Sequence, residues 1–260
     1  MQKNSTVVAT VIHDSSLKNL NAFLNTIYLQ DDKKFDLLIL NDTKKKLAFK
    51  KNNSIKVISF KYNKSINQNR IKLIKEIIKK KYSNLIFVDS DDLMCLNRVR
   101  ICKQLLKNNK IVINDLNIFD KKKKLIKKNY FSSRIKNKKI IKKKDIKYKN
   151  FLGLSNTSCK IGVLKKIKID ILKDAPIFDW ALWFLALNKN DAIFTNNTAT
   201  NYLTNKNSLT FFLNQTNKAL KQRKIFKNRQ LNFFKKNDLF DNKLSKKCKF
   251  NKFKNKFWWE

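Results

Sequence analysis

The sequence predicts an α/β protein with a central, mostly parallel sheet. Three observations carry this. Short runs of β-branched and aliphatic residues recur along the first half. Stretches with helical spacing of apolar residues separate them. Two of the runs end abruptly in acidic residues. Strands alternating with helices of this kind mark βαβ units, in which a crossover helix returns the chain to a parallel neighbour.

Thr6–Ile12 (TVVATVI) reads as a buried strand, because parallel strands covered on both faces are nearly all apolar. Asp14-Ser15-Ser16 offers an N-cap, and Leu17, Leu20, Phe23, Leu24 and Ile27 follow at helical spacing. Phe35–Leu40 (FDLLIL) is a second strand, closed by Asn41-Asp42-Thr43, and Ile55–Phe60 (IKVISF) a third. Ile66–Lys80 is a helix with Ile71, Ile74, Ile77 and Ile78 on one face. Asn84–Val88 (NLIFV) is a short buried strand that runs directly into Asp89-Ser90-Asp91-Asp92. Asn97–Leu106 is the next helix and Ile111–Ile113 the next strand.

Beyond this point the pattern loosens. Asp120–Lys149 is Lys-rich and reads as an exposed excursion with a short strand at Leu125–Phe131. Periodicity returns over Phe151–Ile167. Asp179–Leu187 (DWALWFLAL) is almost wholly apolar after its acidic start, so it suits a buried helix. Ala192–Phe194 and Thr200–Leu203 are expected as two short strands and Asn214–Lys227 as a helix. These features divide the chain into a main domain, 1–210, and a basic helical C-terminal extension, 211–260, which carries 15 cations against 3 anions.

Composition narrows the class. The 260 residues are 42% hydrophobic with 20 Phe and 4 Trp, so a formal charge of +41 does not imply disorder, which also needs few apolar residues. Only 2 Gly and 1 Pro exclude collagen-like and Pro/Gly-rich chains. No apolar run is long enough to span a bilayer, and the N-terminus lacks the pattern of a secretory signal, so a cytoplasmic protein is expected. Of the 60 cations six are Arg, which leaves 54 Lys. Readers of nucleic acid favour Arg for forked contacts, so the charge reads first as a solvated lysine coat. Nucleic acid and the inner face of an anionic membrane, touched peripherally, are the alternatives, and interleaved Phe, Trp and Lys in 211–260 would serve either. Cys95, Cys102, Cys159 and Cys248 form no CxxC pair, and the single His13 completes no zinc site with them, which points to reduced thiols.

The acidic residues carry the chemistry. In parallel sheets ligands bind beyond the carboxyl ends of the strands, where Asp42 and Asp89–Asp92 would meet. Three carboxylates in four residues repel one another and call for open solvent or a counter-ion. A hard divalent cation shared with phosphate oxygens would answer that need; a helix-capping turn is the competing reading. Asp42 either accepts hydrogen bonds from a nucleoside or closes an Asx-turn. Asp179 either caps its helix or, in low-dielectric surroundings, acts as a base. His13, at the end of the first strand, is either a ligand contact or structural. There is no Gly-rich phosphate loop, no GxSxG elbow and no HExxH.

In order, TVVATVIHDSS, FLNTIYLQ, FDLLILND, Arg70 before a helix, NLIFVDSDD, and FDWALWFLAL followed by NYLTNKNSLT resemble a family 2 glycosyltransferase over roughly residues 5–210. That resemblance implies the GT-A fold, a Rossmann-like three-layer sandwich, and transfer of a sugar from a nucleotide-diphospho-sugar, with inversion, to a hydroxyl on a glycan or glycolipid. It implies that Asp42 contacts the base or ribose, and that Asp89 and Asp91 hold Mg2+ or Mn2+ and the diphosphate with Asp92 adjacent. His13, Asp14, Arg70 and Ser90 fall in the same donor-binding set, and Asp179 becomes the general base. The chain departs from the family in three places. Ile12-His13-Asp14-Ser15 replaces Pro-Thr/Ser-Tyr-Asn, Phe178-Asp179 replaces Glu-Asp, and Tyr202-Leu203-Thr204-Asn205 replaces Tyr-Arg-x-His. The last change removes two basic groups, for which Lys206 is the nearest substitute. The alternative function is a basic nucleic-acid- or membrane-binding protein with a catalytically degenerate GT-A domain.

Overall fold

The structure is a computed structural model that describes residues 4–49, 55–62, 64–120, 123–135, 139–204 and 217–240. Strands β1 (Thr6–His13), β2 (Asp36–Asp42), β3 (Lys56–Lys61) and β4 (Asn84–Phe87) alternate with helices α1 (Leu20–Tyr28) and α2 (Ile66–Lys79). Next come β5 (Leu93–Met94), α3 (Arg98–Asn108), β6 (Ile111–Phe119), β7 (Leu125–Lys127), α4 (Ser132–Ile135) and β8 (Ile140–Ile141). The chain continues through β9 (Thr157–Lys160), α5 (Ile161–Leu164), α6 (Phe178–Ala186), β10 (Ala192–Leu203) and α7 (Asn217–Lys236). Among the described residues all ten strands join one sheet in the order β3-β2-β1-β4-β9-β6-β10-β5, with β7 on β6 and β8 on β10.

β3, β2, β1 and β4 are parallel neighbours, as are β6 and β10. β9 lies antiparallel between β4 and β6. The carboxyl ends of β1, β2, β4, β6 and β10 therefore share one edge of the sheet. The period-two alternation of the strands sorts their side chains into two cores. Val7, Ala9, Leu38 and Leu40 face α2, α6 and α7 on one side, through Ile74, Trp183 and Phe234. Val8, Ile12, Leu37 and Ile39 face α1 and α3 on the other, through Phe23, Ile27 and Val99. The result is a helix–sheet–helix sandwich.

Local chemistry sets the elements. Ser65 caps α2 by accepting from Gln68 N at 3.3 Å, while Gln68 Oε1 accepts from Ser65 N at 3.2 Å, a reciprocal capping box. α6 buries Trp180 and Trp183 completely, and the Trp180 indole N–H donates to Ile146 O at 2.6 Å. α7 is longer than the periodicity suggests. It brings Leu231, Phe233 and Phe234 into the main core, with Phe234 stacked on Phe184 at 4.4 Å between ring centroids. Part of the segment that the sequence sets apart at 211 is thus packed on α6. The rest of 211–260, with Lys206 and Cys248, lies outside the described residues.

Other expectations are refined. The first helix begins with a 3-10 turn over Asp14–Asn19. The two strands expected near the end of the main domain are one strand, β10, with an irregularity between Thr195 and Ala199. The Lys-rich excursion holds β7, α4 and β8, and Phe151–Ile167 holds β9 and α5. Among the described residues no helix is long and apolar enough to cross a membrane, and Cys95, Cys102 and Cys159 are free thiols.

Candidate active site

The ends of β1, β2 and β4 come together as their register requires. His13 and Asp42 are paired residues of β1 and β2, and His13 Nδ1 lies 2.8 Å from Asp42 Oδ2. Asp42 thus presents its carboxylate beside the imidazole, partly exposed. Asp14 is exposed, and its Oδ1 accepts from Lys44 N at 3.4 Å. β1 is locked to the acidic turn through Ser90, which is 2% exposed. Its hydroxyl donates to Val11 O and meets Ser16 Oγ, each at 2.8 Å. That hydroxyl is committed to the protein, so Ser90 fixes the turn.

The four residues of the acidic turn divide by environment. Asp92 is 1% exposed, its Oδ1 accepts from Leu203 N at 3.2 Å, and the Ser155 hydroxyl also acts on its carboxylate. Burial first, then the charges of Asp91 and Asp89, holds its carboxyl well above the usual range. Asp89 and Asp91 are partly exposed. Asp91 is raised to about 6, by burial and then by repulsion from Asp89, with His13 and Arg70 pulling the other way. Among the described residues no three His, Cys, Asp or Glu side chains are grouped as metal ligands. Asp92 turns inward to β10, so Asp89 and Asp91 are the partly exposed carboxylates of the turn.

Residues far apart in sequence complete the cluster. Asp179, in the first turn of α6, accepts from Trp180 N at 2.9 Å and from Asn150 Nδ2 at 3.4 Å through Oδ1. Burial pushes its carboxyl up, Arg70 pulls it down and Asp89 pushes it up again. Arg70 also acts on Asp91, and its guanidinium sits 5.5 Å from the ring centre of Phe178 at the start of α6. Asp89, Asp91, Arg70 and Asp179 thus share one electrostatic neighbourhood at the carboxyl edge of the sheet.

Several positions were not singled out in the sequence. Ser155 Oγ accepts from Asp89 N at 3.2 Å, so the loop before β9 steadies the acidic turn. Gly153 leaves room there: a methyl group in its place would stand 3.7 Å from Asp179 Oδ2 and 3.2 Å from Asn156 Oδ1. One of two glycines in a chain this poor in them was an available signal. Arg98 is fully buried at the start of α3. Its Nε donates to Asn114 Oδ1 at 2.9 Å and its Nη2 to Phe87 O at 2.7 Å. Phe87 ends β4, so this cation braces the strand that delivers the acidic turn, and its charge interacts with that of Asp92.

The donor set suits a hard divalent cation. Asp91 stays proton-prone through its burial and the neighbouring Asp89, and a cation held by these carboxylates would favour their charged forms. Asp89 and Asp91 would hold such an ion, with the rest of its shell drawn from phosphate oxygens and water.

No protein-family model matches the sequence, and no curated protein matches it. Solved structures do match. S. aureus TarS 1–349, crystallised with UDP-GlcNAc, aligns at a TM-score of 0.57 and 14% identity, covering 87% of this chain and 66% of that one. The mannosyltransferase PcManGT from Pyrobaculum calidifontis, crystallised with GDP-Man and Mn2+, aligns at 0.57 and 9% identity, covering 93% of this chain and 66% of that one. GalNAc-T7, crystallised with UDP, GalNAc and Mn2+, aligns at 0.53 and 11% identity, covering 76% of this chain and 44% of that one. The chain spans about two thirds or less of each of these neighbours. At such identities the likeness is one of fold: a mixed α/β sandwich on a mostly parallel sheet, the architecture of the GT-A glycosyltransferases.

Proposed function

We propose that the chain is a glycosyltransferase of the family 2 type, moving a sugar from a nucleotide-diphospho-sugar to a hydroxyl on a glycan or glycolipid acceptor. The observation that supports this most is the shared neighbourhood of Asp89, Asp91, Arg70 and Asp179, on a fold whose solved neighbours were crystallised with UDP-GlcNAc, GDP-Man or UDP. In this reading His13 orients the Asp42 carboxylate toward the base or ribose. Arg70 places positive charge beside the diphosphate. Asp14, close to the Lys44 loop, borders the nucleoside end. Mg2+ or Mn2+, when bound at Asp89 and Asp91, supplies Lewis-acid stabilisation of the leaving diphosphate.

Asp179 is the base. Its raised carboxyl accepts the acceptor hydroxyl proton as that oxygen attacks the anomeric carbon from the side opposite the diphosphate, which inverts the configuration. Asn150 Nδ2 and the Trp180 N–H both bond Oδ1, which leaves Oδ2, the oxygen facing Gly153, to take the proton. A thermal-shift screen of nucleotide-diphospho-sugars with Mn2+ against chelator, followed by turnover with the best donor, tests the reading. Stabilisation by at least one donor supports it, and no response to any donor counts against it.

A second reading keeps the donor site and drops the turnover. It draws on Tyr202-Leu203-Thr204-Asn205, where Leu203 and Asn205 stand in place of the family's two basic residues and the Leu203 amide is spent on Asp92. Donor binding with no product from any acceptor would favour it. Nucleic acid is the weaker partner, given how few of the cations are Arg.

A further inference from the structure

The excursion after β6 ends in a feature that the proposed reaction does not use. β7 pairs antiparallel with β6, Ile118 opposite Lys127 and Phe119 opposite Leu125. The described residues on either side of the turn are tied together: Lys124 N donates to Asp120 Oδ1 at 2.8 Å, Asp120 N to Lys124 O at 2.9 Å, and Lys123 adopts φ 61°. The base of the hairpin is anchored. Buried Asp115 accepts from Phe131 N at 2.7 Å and Ser132 N at 3.1 Å, and Tyr130 N donates to Leu116 O at 2.7 Å. From this fixed base, six consecutive residues stand exposed: Lys123-Lys124-Leu125-Ile126-Lys127-Lys128. Leu125 is 45% and Ile126 60% exposed.

Lysines on an edge strand are a known guard against edge-to-edge association. They account for the cations and not for two adjacent aliphatics between them. A strand with one buried face would turn either Leu125 or Ile126 inward, and here both stand out. The hairpin also lies at the same sheet edge as the carboxylate cluster. Thr204 N donates to Phe119 O at 2.9 Å, and the preceding residue, Leu203, donates to Asp92.

We propose that the hairpin tip Lys123–Lys128 docks the protein on an anionic lipid surface, with Leu125 and Ile126 entering the headgroup region and the flanking lysines meeting lipid phosphates. Charge complementarity chooses this occupant: an apolar pair bracketed by cations matches an interface that is acidic outside and hydrocarbon within. The inference concerns a surface outside the donor site and does not depend on the transferase reading.

The test separates this tip from the chain's general charge, because +41 attracts any polyanion at low salt. Vesicles of phosphatidylcholine and phosphatidylglycerol in equal parts are co-sedimented with the full chain and with the double variant Leu125→Ser/Ile126→Ser. Every lysine is kept, and both replaced side chains are exposed, so the fold is spared. The double variant is expected to bind about tenfold more weakly, since two exposed aliphatic side chains that would enter the headgroup region are lost. In parallel, Ile126→Trp should shift its emission to the blue on these vesicles. Ile140→Trp should not, because Ile140 is equally exposed but pairs near the start of β10, at the opposite end of the sheet. Equal binding by the double variant, or an unmoved Ile126→Trp emission, overturns the proposal. So does equal binding to pure phosphatidylcholine, or an Ile126→Trp response to single-stranded DNA and not to vesicles.

Discussion

The Leu203 amide donates to Asp92 Oδ1 at 3.2 Å, and this bond ties the acidic turn after β4 to the last residue of β10. β9 and β6 separate those two strands in the sheet, so the turn must reach across their ends. Asp92 is spent on that span. Its neighbours Asp89 and Asp91 are held at the rim, with buried Arg98 bracing the strand below.

Burial disfavours charge at Asp92, so its value to the fold is as a hydrogen-bond acceptor. Asp92→Asn keeps an acceptor oxygen and should leave the melting temperature nearly unchanged. Asp92→Ala leaves the Leu203 amide unpaired and should cost about 1–3 kcal/mol. Thermal denaturation of both variants checks this; equal losses would show that the charge itself matters.

Asp179→Asn removes the base and leaves the shape. Turnover should fall by about 10²–10⁴-fold, the usual worth of general-base help, with donor affinity close to that of the parent. Steady-state rates beside donor titration measure the two. Unchanged turnover would take the proton-accepting role away from Asp179.

Asp179 must be ionised to accept a proton, and burial raises its carboxyl, so kcat should climb with pH along an acid limb lying above the ordinary carboxylate value near 4. Arg70 opposes that shift, so Arg70→Gln should move the limb to still higher pH. Stability runs the other way. The native group holds its proton when the unfolded one has lost it, so its contribution is present at low pH and is lost as pH rises through the native value. A pH–rate profile that stays put in Arg70→Gln contradicts this electrostatic link.

Phe234 fixes α7 to the core through its stack on Phe184 and an edge contact with Trp180 at 5.8 Å. Phe234→Ala should cost about 3–5 kcal/mol, the range for a large aromatic removed from a packed interior. Ending the chain at residue 210 should destabilise it further. Denaturant melts decide the matter: a truncated chain as stable as the full one would make 211–260 an independent appendage.

Much of this architecture was legible in the sequence, for physical reasons that differ by element. β1, β2 and α2 announce themselves because TVVATVI, FDLLIL and the Ile71–Ile78 stripe follow the spacing their burial requires. The acidic turn was conspicuous because such charge density follows an apolar strand. β9 was hidden: TSCK is four small or polar residues, made a strand by pairing with β4 and β6 on either side. The Asn150–Asn156 loop was hidden for a related reason. Its roles toward Asp89 and Asp179 arise from tertiary contact, and only Gly153 hints at them. Arg98 went unremarked within the expected helix Asn97–Leu106, because sequence carries no mark of a guanidinium buried behind a strand end. Asp92 was grouped with its neighbours because adjacency in sequence does not reveal which carboxylate points inward.

Calorimetric titration with UDP and with GDP, each with Mn2+ and with chelator, on the parent chain and on Asp91→Asn, reaches the central claim most directly. One nucleotide should bind the parent in the presence of Mn2+, lose most of its affinity with chelator, and bind Asp91→Asn at least about tenfold more weakly. Equal affinity in the two proteins, or no heat from either nucleotide, would contradict a carboxylate pair at the sheet edge built to hold a cation against a diphosphate.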